Sequence, residues 1–244
     1  MAEAFPETGA GGFGRRDGTV AFYTRVNSLA GADDVVLDLG AGRGEWLEDQ
    51  VAYRRELRRL QGKVAKVIGA DVDPVVADNP ACDEYVVMDS INRIPLESAS
   101  VDLVVSDHTL EHVADPGPWV AEVDRVLKPG GWLAARTPNR WGYIGLATNL
   151  VPNRLHTRVL RRAQPDRQAI DVFPTVYGLN TRRALAEHFP APRWQSYTYA
   201  HNPEPAYFGT SPALIRTLDQ VLSRLPSSMA ATWHVFVRKA PDAH

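Results

Sequence analysis

Two stretches of this chain concentrate residue types that do chemistry. The first is Val35-Val36-Leu37-Asp38-Leu39-Gly40-Ala41-Gly42-Arg43-Gly44, where an apolar run carrying one acid ends in three glycines at alternate positions. Glycine permits a tight bend and lets a backbone approach a ligand closely. The helix expected to start there offers free N–H groups and positive potential to a carboxylate or phosphate. A dinucleotide-binding loop reads G-x-G-x-x-G. Here the spacing is G-x-G-x-G, and Glu45 stands where the third glycine would fall. The second stretch is Asp107-His108-Thr109-Leu110-Glu111-His112. On a helix, His108, Glu111 and His112 would share one face at i, i+3 and i+4.

Three chemistries are open to that second stretch. Its letters match the inverted zinc-peptidase signature H-x-x-E-H. No further ligand set follows downstream, so that reading is rejected. A divalent cation held by carboxylates and a histidine is the second. In the third, His108 faces an acceptor as orienter or general base, with Glu111 and His112 hydrogen-bonded behind it. A neutral imidazole near pH 7 suits proton removal. The same residues would also make a merely satisfied polar cluster.

The elements that must position these groups follow from periodicity. Residues Thr19 to Leu29 space apolar side chains helically, and Gly31 follows as a stop. Short apolar runs at Val35–Leu39, Val64–Ala70, Tyr85–Met88, Leu103–Ser106 and Trp132–Arg136 read as buried strands. Glu45 to Leu60 reads as one charged helix with a solvated face, and Pro118 to Leu127 as another. Thr181–Phe189 and Ala213–Leu225 read as helices, Arg193–Tyr199 and Thr232–Lys239 as strands. Strand and helix alternating in this way imply a doubly wound, mostly parallel sheet covered on both faces. The Gly-rich opening, residues 1–18, reads as a flexible arm, and residues 19–244 as one domain with an insertion at about 140–180.

Composition narrows the partners. A net charge of −2 on 244 residues argues against a general grip on nucleic acid. The single cysteine, Cys82, excludes an internal disulfide. No apolar stretch approaches the roughly 20 residues needed to span a bilayer. The N-terminus lacks an apolar core, so the cytoplasm is the expected location. Oligomeric state is left open.

Further motifs stand in register: Val67-Ile68-Gly69-Ala70-Asp71, Met88-Asp89-Ser90, Ser100 to Ser106, Leu110-Glu111-His112-Val113, and Val126-Leu127-Lys128-Pro129-Gly130-Gly131. Together these resemble the class I S-adenosylmethionine (SAM)-dependent methyltransferases. The nearest likeness is the small-molecule type 11 group that contains the quinone-biosynthesis enzymes. The resemblance spans about Val35 to Asn139 and is loose beyond. It implies a Rossmann-like, seven-stranded α/β fold with a lid insertion, and SAM as cofactor. It places Asp38, Gly40, Ala41, Gly42 and Gly44 at the methionine end. Asp71 with Val72 would meet the ribose, Asp89 and Ser90 the adenine, and Ser106 and Asp107 would lie beneath the sulfonium. Some relatives hold magnesium near His108, but with a glutamate there, so no metal is expected.

The insertion carries Trp141, Tyr143, His156, Phe173 and Tyr177, with arginines 154, 158, 161, 162 and 167 and no lysine. Aromatics with convergent polar groups suit a small-molecule pocket, and guanidinium forks suit an anion. His108, His112 and Tyr177 are the expected catalytic residues, acting on an O or N atom of a small, anionic acceptor. The competing readings are a non-catalytic SAM-binding module, an RNA methyltransferase and a nicotinamide oxidoreductase.

Overall fold

The computed structural model describes residues 3–143, 175–205 and 211–242. Helix α1 (Gly18–Leu29) begins where the Asp17 carboxylate accepts from the backbone N–H groups of Thr19 and Val20. That cap satisfies two of the donors every helix start leaves over. Strands β1 (Val35–Leu39), β2 (Lys66–Asp71), β3 (Glu84–Val87), β4 (Val101–Asp107) and β5 (Leu127–Pro138) pair in parallel. Two short strands, β6 (Trp194–Ser196) and β7 (Tyr199–His201), share one edge of the antiparallel β8 (Thr232–Lys239). The order is β3-β2-β1-β4-β5-β8-β6, with β7 also on β8.

Eight segments thus fill the seven expected places. The run expected as one strand, Arg193–Tyr199, breaks where Thr198 donates its N–H to Ser196 Oγ. A local side-chain turn of this kind competes with the ladder. Both faces of the sheet are buried around β1, β4 and β5, whereas the edge strand β3, expected to be buried, is largely exposed. Leu37 and Leu39 join Val104, Trp119, Val123 and Leu133 on one side. Val36, Val67, Val105 and Phe236 pack against Phe22, Tyr23 and Val26 on the other. Neighbouring residues of β1 therefore serve opposite layers, which is why the run is apolar apart from Asp38.

Two expectations need correction. Glu45 to Leu60 is not one helix: a 3-10 turn spans Glu45–Glu48, and α2 covers only Ala52–Arg58. Asp49 divides them, because its carboxylate accepts from Val51 N–H and pairs with Arg54. Nor is that helix face wholly solvated, since Arg58 turns inward to Asp107. The remaining helices are α3 (Pro116–Val126), α4 (Arg182–His188) and α5 (Pro212–Leu222). The Gly-rich opening makes specific contacts. Phe5 is buried in a cluster with Ile215 of α5, and Phe13 stacks on Tyr53 of α2. The insertion residues Arg154, His156, Arg158, Arg161, Arg162, Arg167 and Phe173 lie outside the described residues.

Candidate functional site

At the C-terminal end of β1 the chain bends through Gly40, Gly42 and Gly44, all with positive φ. Only one of the three faces open space. A Cβ on Gly40 would collide with Thr109 Oγ1, and one on Gly44 would stand 2.6 Å from Asn79 Oδ1, whereas one on Gly42 would meet nothing within 4 Å. The first and third glycines therefore serve packing, and the second leaves room for a ligand. The bend is held from below. Gly40 and Ala41 donate their N–H groups to Ala70 O, and Gly42 donates to the Asp71 carboxylate at 2.9 Å. The buried Asn79 donates to the carbonyls of Ala41 and Gly42. Asn79 was not legible in the sequence. It lies in an irregular turn, with no pattern to mark it.

Asp71 spends its other oxygen on Asp73 N–H. Val72 is exposed. Asp89 and Ser90, just after β3, are exposed; Asp89 lines a cavity of about 410 Å³ with Val87, Arg93, Ile94, Glu122 and Arg125. Ser90 does not line that cavity, and neither does any residue of the glycine bend.

Asp38 pairs in register with Val105 of β4, and Asp107 with Arg136 of β5. Asp107 is the hub. Arg136 holds it through two bonds of 2.7 and 2.8 Å, while Arg58 and Tyr23 each approach at 3.2 Å. Burial alone would raise the Asp107 pKa, but Arg136, then His108 and Arg58, hold it well below the usual carboxylate range. Burial, seconded by Asp107, pushes the Tyr23 phenol up, so it stays a donor. Opposite Arg136 on β8, burial pushes the His234 pKa down to about 2, so that ring stays neutral beside the cation. Asp38 has less help. Burial pushes its pKa up to about 7, against the opposing pull of Arg58. Arg58 lies over the rings of Tyr23 and Trp46 and fills the space beside Asp38, leaving a cavity of only about 10 Å³.

The His108 segment leaves β4 in a left-handed conformation, φ +60°, and Tyr177 sits at φ +59°. Such angles are costly for residues other than glycine and survive only where surroundings impose them. Both meet one residue. The buried Glu111 lies 3.4 Å from His108 Nδ1, and its carbonyl accepts from Val176 and Tyr177 N–H. The structure thus brings His108 and Tyr177 to a common partner. Their turn is 3-10 (Leu110–His112) rather than α-helical, and His112 closes it by donating its N–H to Thr109 O. Ser106 is fully buried in β4 with no partner for its hydroxyl among the described residues. Arg136 and Arg58 were not foreseen, since neither stands in a motif.

With this geometry in view, the likenesses to known proteins can be read. Residues 37–135 match a methyltransferase-domain family, the type 11 group. Over that stretch the chain is similar to the class I SAM-dependent methyltransferases. A probable SAM-dependent methyltransferase of Mycolicibacterium smegmatis is 34% identical over 151 residues, covering 59% of this chain and 52% of its own. The chain thus spans about half the length of that relative. Among solved structures, a chain of the complex between the Haloferax volcanii Trm112 methyltransferase activator and its methyltransferase superposes with TM-score 0.53. It is 20% identical and covers 97% of each chain. A geranyl diphosphate methyltransferase in complex with GPP and sinefungin gives TM-score 0.55 at 15% identity, covering 89% of this chain and 76% of its own. These structures share the Rossmann-like methyltransferase fold. No helix among the described residues is long and apolar enough to cross a membrane.

The residues present fit SAM at two points. The left-handed Gly42 faces open space, and the buried Arg58 Nε has no partner among the described residues.

Proposed function

We propose that the chain transfers a methyl group from SAM to an O or N atom of a small, anionic acceptor. The observation that carries this reading is the packing of Gly40 against Thr109, with Thr109 Oγ1 donating to Leu39 O at 3.2 Å. That contact sets the glycine bend directly beside His108. Asp38, Gly40, Ala41, Gly42 and Gly44 would hold the amino-acid end, Asp71 and Val72 the ribose, Asp89 and Ser90 the adenine, and Ser106 and Asp107 the region of the sulfonium. Bound SAM supplies an electrophilic methyl group. The chain's residues need only align the acceptor, exclude water and remove a proton where the acceptor carries one. His108, about half exposed, would take that proton. Tyr177 and His112 would shape the acceptor side, and the arginines between 154 and 167 would meet the anion.

The test compares thermal stability with SAM, its demethylated product and NADH. A true ligand at a hundredfold excess over Kd adds roughly 2.7 kcal/mol. SAM and its product should both stabilise, Asp71→Ala should erase the gain, and labelled SAM should pass its methyl to an anionic acceptor. Stabilisation by NADH with no response to SAM would overturn the reading.

A further inference from the structure

Glu111 has no role yet beyond holding the Val176–Tyr177 backbone, and the surroundings of its side chain are directional. Asn180 is buried, and its side-chain nitrogen lies 2.5 Å from Thr137 Oγ1 and 2.9 Å from the Pro138 carbonyl. A carbonyl only accepts, so the amide nitrogen must face it, and Thr137 receives that group's second hydrogen. Thr137 therefore spends its own proton on the next acceptor in reach, Glu111 Oε2 at 3.1 Å. The other carboxylate oxygen, Oε1, is left for His108 Nδ1 at 3.4 Å. Glu111 stays ionised. Burial alone would raise its pKa, but the hydrogen bond from His108 holds it below the usual value.

An ionised carboxylate only accepts, so the proton of a neutral His108 belongs on Nδ1. The alternative tautomer has nothing comparable. Asp107 lies 3.9 Å from His108 Nε2, beyond hydrogen-bond reach, and its oxygens are already taken by Arg136, Arg58 and Tyr23. We propose that Glu111 is a positioning residue: with Thr137 and Asn180 behind it, it fixes His108 with Nδ1–H inward and the Nε2 lone pair turned to the acceptor. The inference rests on the methyl-transfer reading above. In that reaction the acceptor's proton goes to Nε2, the acceptor keeps the electron pair, and the Nδ1–H of the resulting imidazolium remains on Glu111. The buried carboxylate then faces the positive charge as it forms.

Isosteric Glu111→Gln separates this from a structural role. Thr137 still donates to the amide oxygen, so the amide NH2 faces Nδ1 and the proton is driven to Nε2. Nitrogen-15 NMR on histidine-labelled protein at pH 8 should show Nδ1–H for His108 in the wild type and Nε2–H in Glu111→Gln. The turnover of Glu111→Gln should fall about 100-fold, the low end for a general base, with KM for SAM unchanged. Thr137→Val keeps the carboxylate and with it the wild-type tautomer, but frees Glu111 Oε2, so turnover should fall severalfold with KM for SAM unchanged. It serves as the second arm should Glu111→Gln fail to fold. An Nε2–H signal in the wild type, or in Thr137→Val, overturns the proposal, as does unchanged turnover in Glu111→Gln. The NMR readout needs no acceptor, so a chain that binds SAM but methylates nothing defeats the functional reading without touching the tautomer result.

Discussion

The glycine bend and the Asp107–Arg136 centre stand side by side at the C-terminal edge of one sheet, yet they are held in opposite ways. The bend is fixed by backbone: N–H groups on Ala70 O, positive φ at three glycines, and one carboxylate, Asp71. The centre is fixed by charged side chains from α2, β4 and β5, with the Tyr23 phenol from α1, meeting where water is largely excluded. A backbone cradle tolerates changes of charge but not of shape. A buried ion cluster tolerates neither, since removing one member leaves its partner uncompensated.

The largest expected effect breaks the second kind of support. Arg136→Met strips Asp107 of its two short bonds and leaves it with Arg58 and Tyr23 alone. Breaking a buried pair costs about 3–5 kcal/mol, and the lower end is expected because those two partners remain. Urea denaturation would read it. The double variant Arg136→Met with Asp107→Leu should recover much of the loss, because no buried charge is then left alone. A single variant as stable as wild type would mean that the pair is held by geometry and contributes little.

Smaller effects split the glycine bend itself. Gly40→Ala drives a methyl into Thr109 at φ +85°. Strain and overpacking together cost about 3 kcal/mol. Gly42→Ala meets open space at φ +51°, a conformation costing alanine about 1 kcal/mol. Its loss should appear in SAM-induced stabilisation instead. Thermal melts with and without SAM decide it: Gly40→Ala low in both, Gly42→Ala near wild type alone and unresponsive to SAM. Equal loss of stability in the two variants would remove the distinction between a packing glycine and a ligand-facing one.

The same contrast explains what the sequence could disclose. The bend was legible because backbone geometry is written in glycines at fixed spacing, and β1 to β5 because their apolar runs are continuous. Arg136 was hidden, for its partner Asp107 lies 29 positions away and only the β4–β5 register joins them. Asn79 and Thr137 were hidden for the same reason: a side chain that ties remote segments leaves no local period. Arg58 was misread because four arginines around one glutamate look like a solvated face. The break after Glu48 leaves no mark either, because the Asp49 side-chain turn sits in the middle of a run that scans as helical.

Asp38 joins both regions, standing on the strand that feeds the bend while facing Arg58. Its folded pKa of about 7 lies above the ordinary carboxylate value of 3.8. Between those two values the folded state holds a proton that the unfolded chain has lost. Stability therefore falls as pH rises through that window and levels off above it. The whole shift corresponds to about 4 kcal/mol by linkage, and partial solvent contact reduces what is measured to about 1–2 kcal/mol. Asp38→Asn carries no such proton, so relative to wild type it should gain stability at pH 8 and not at pH 4. Paired melts at the two pH values would show this, and parallel curves for the two proteins would sink it. A cationic α-amino group beside Asp38 favours the ionised carboxylate. SAM binding near pH 6.5 should then release a proton in the wild type and none from this site in Asp38→Asn, which calorimetry in buffers of different ionisation enthalpy detects.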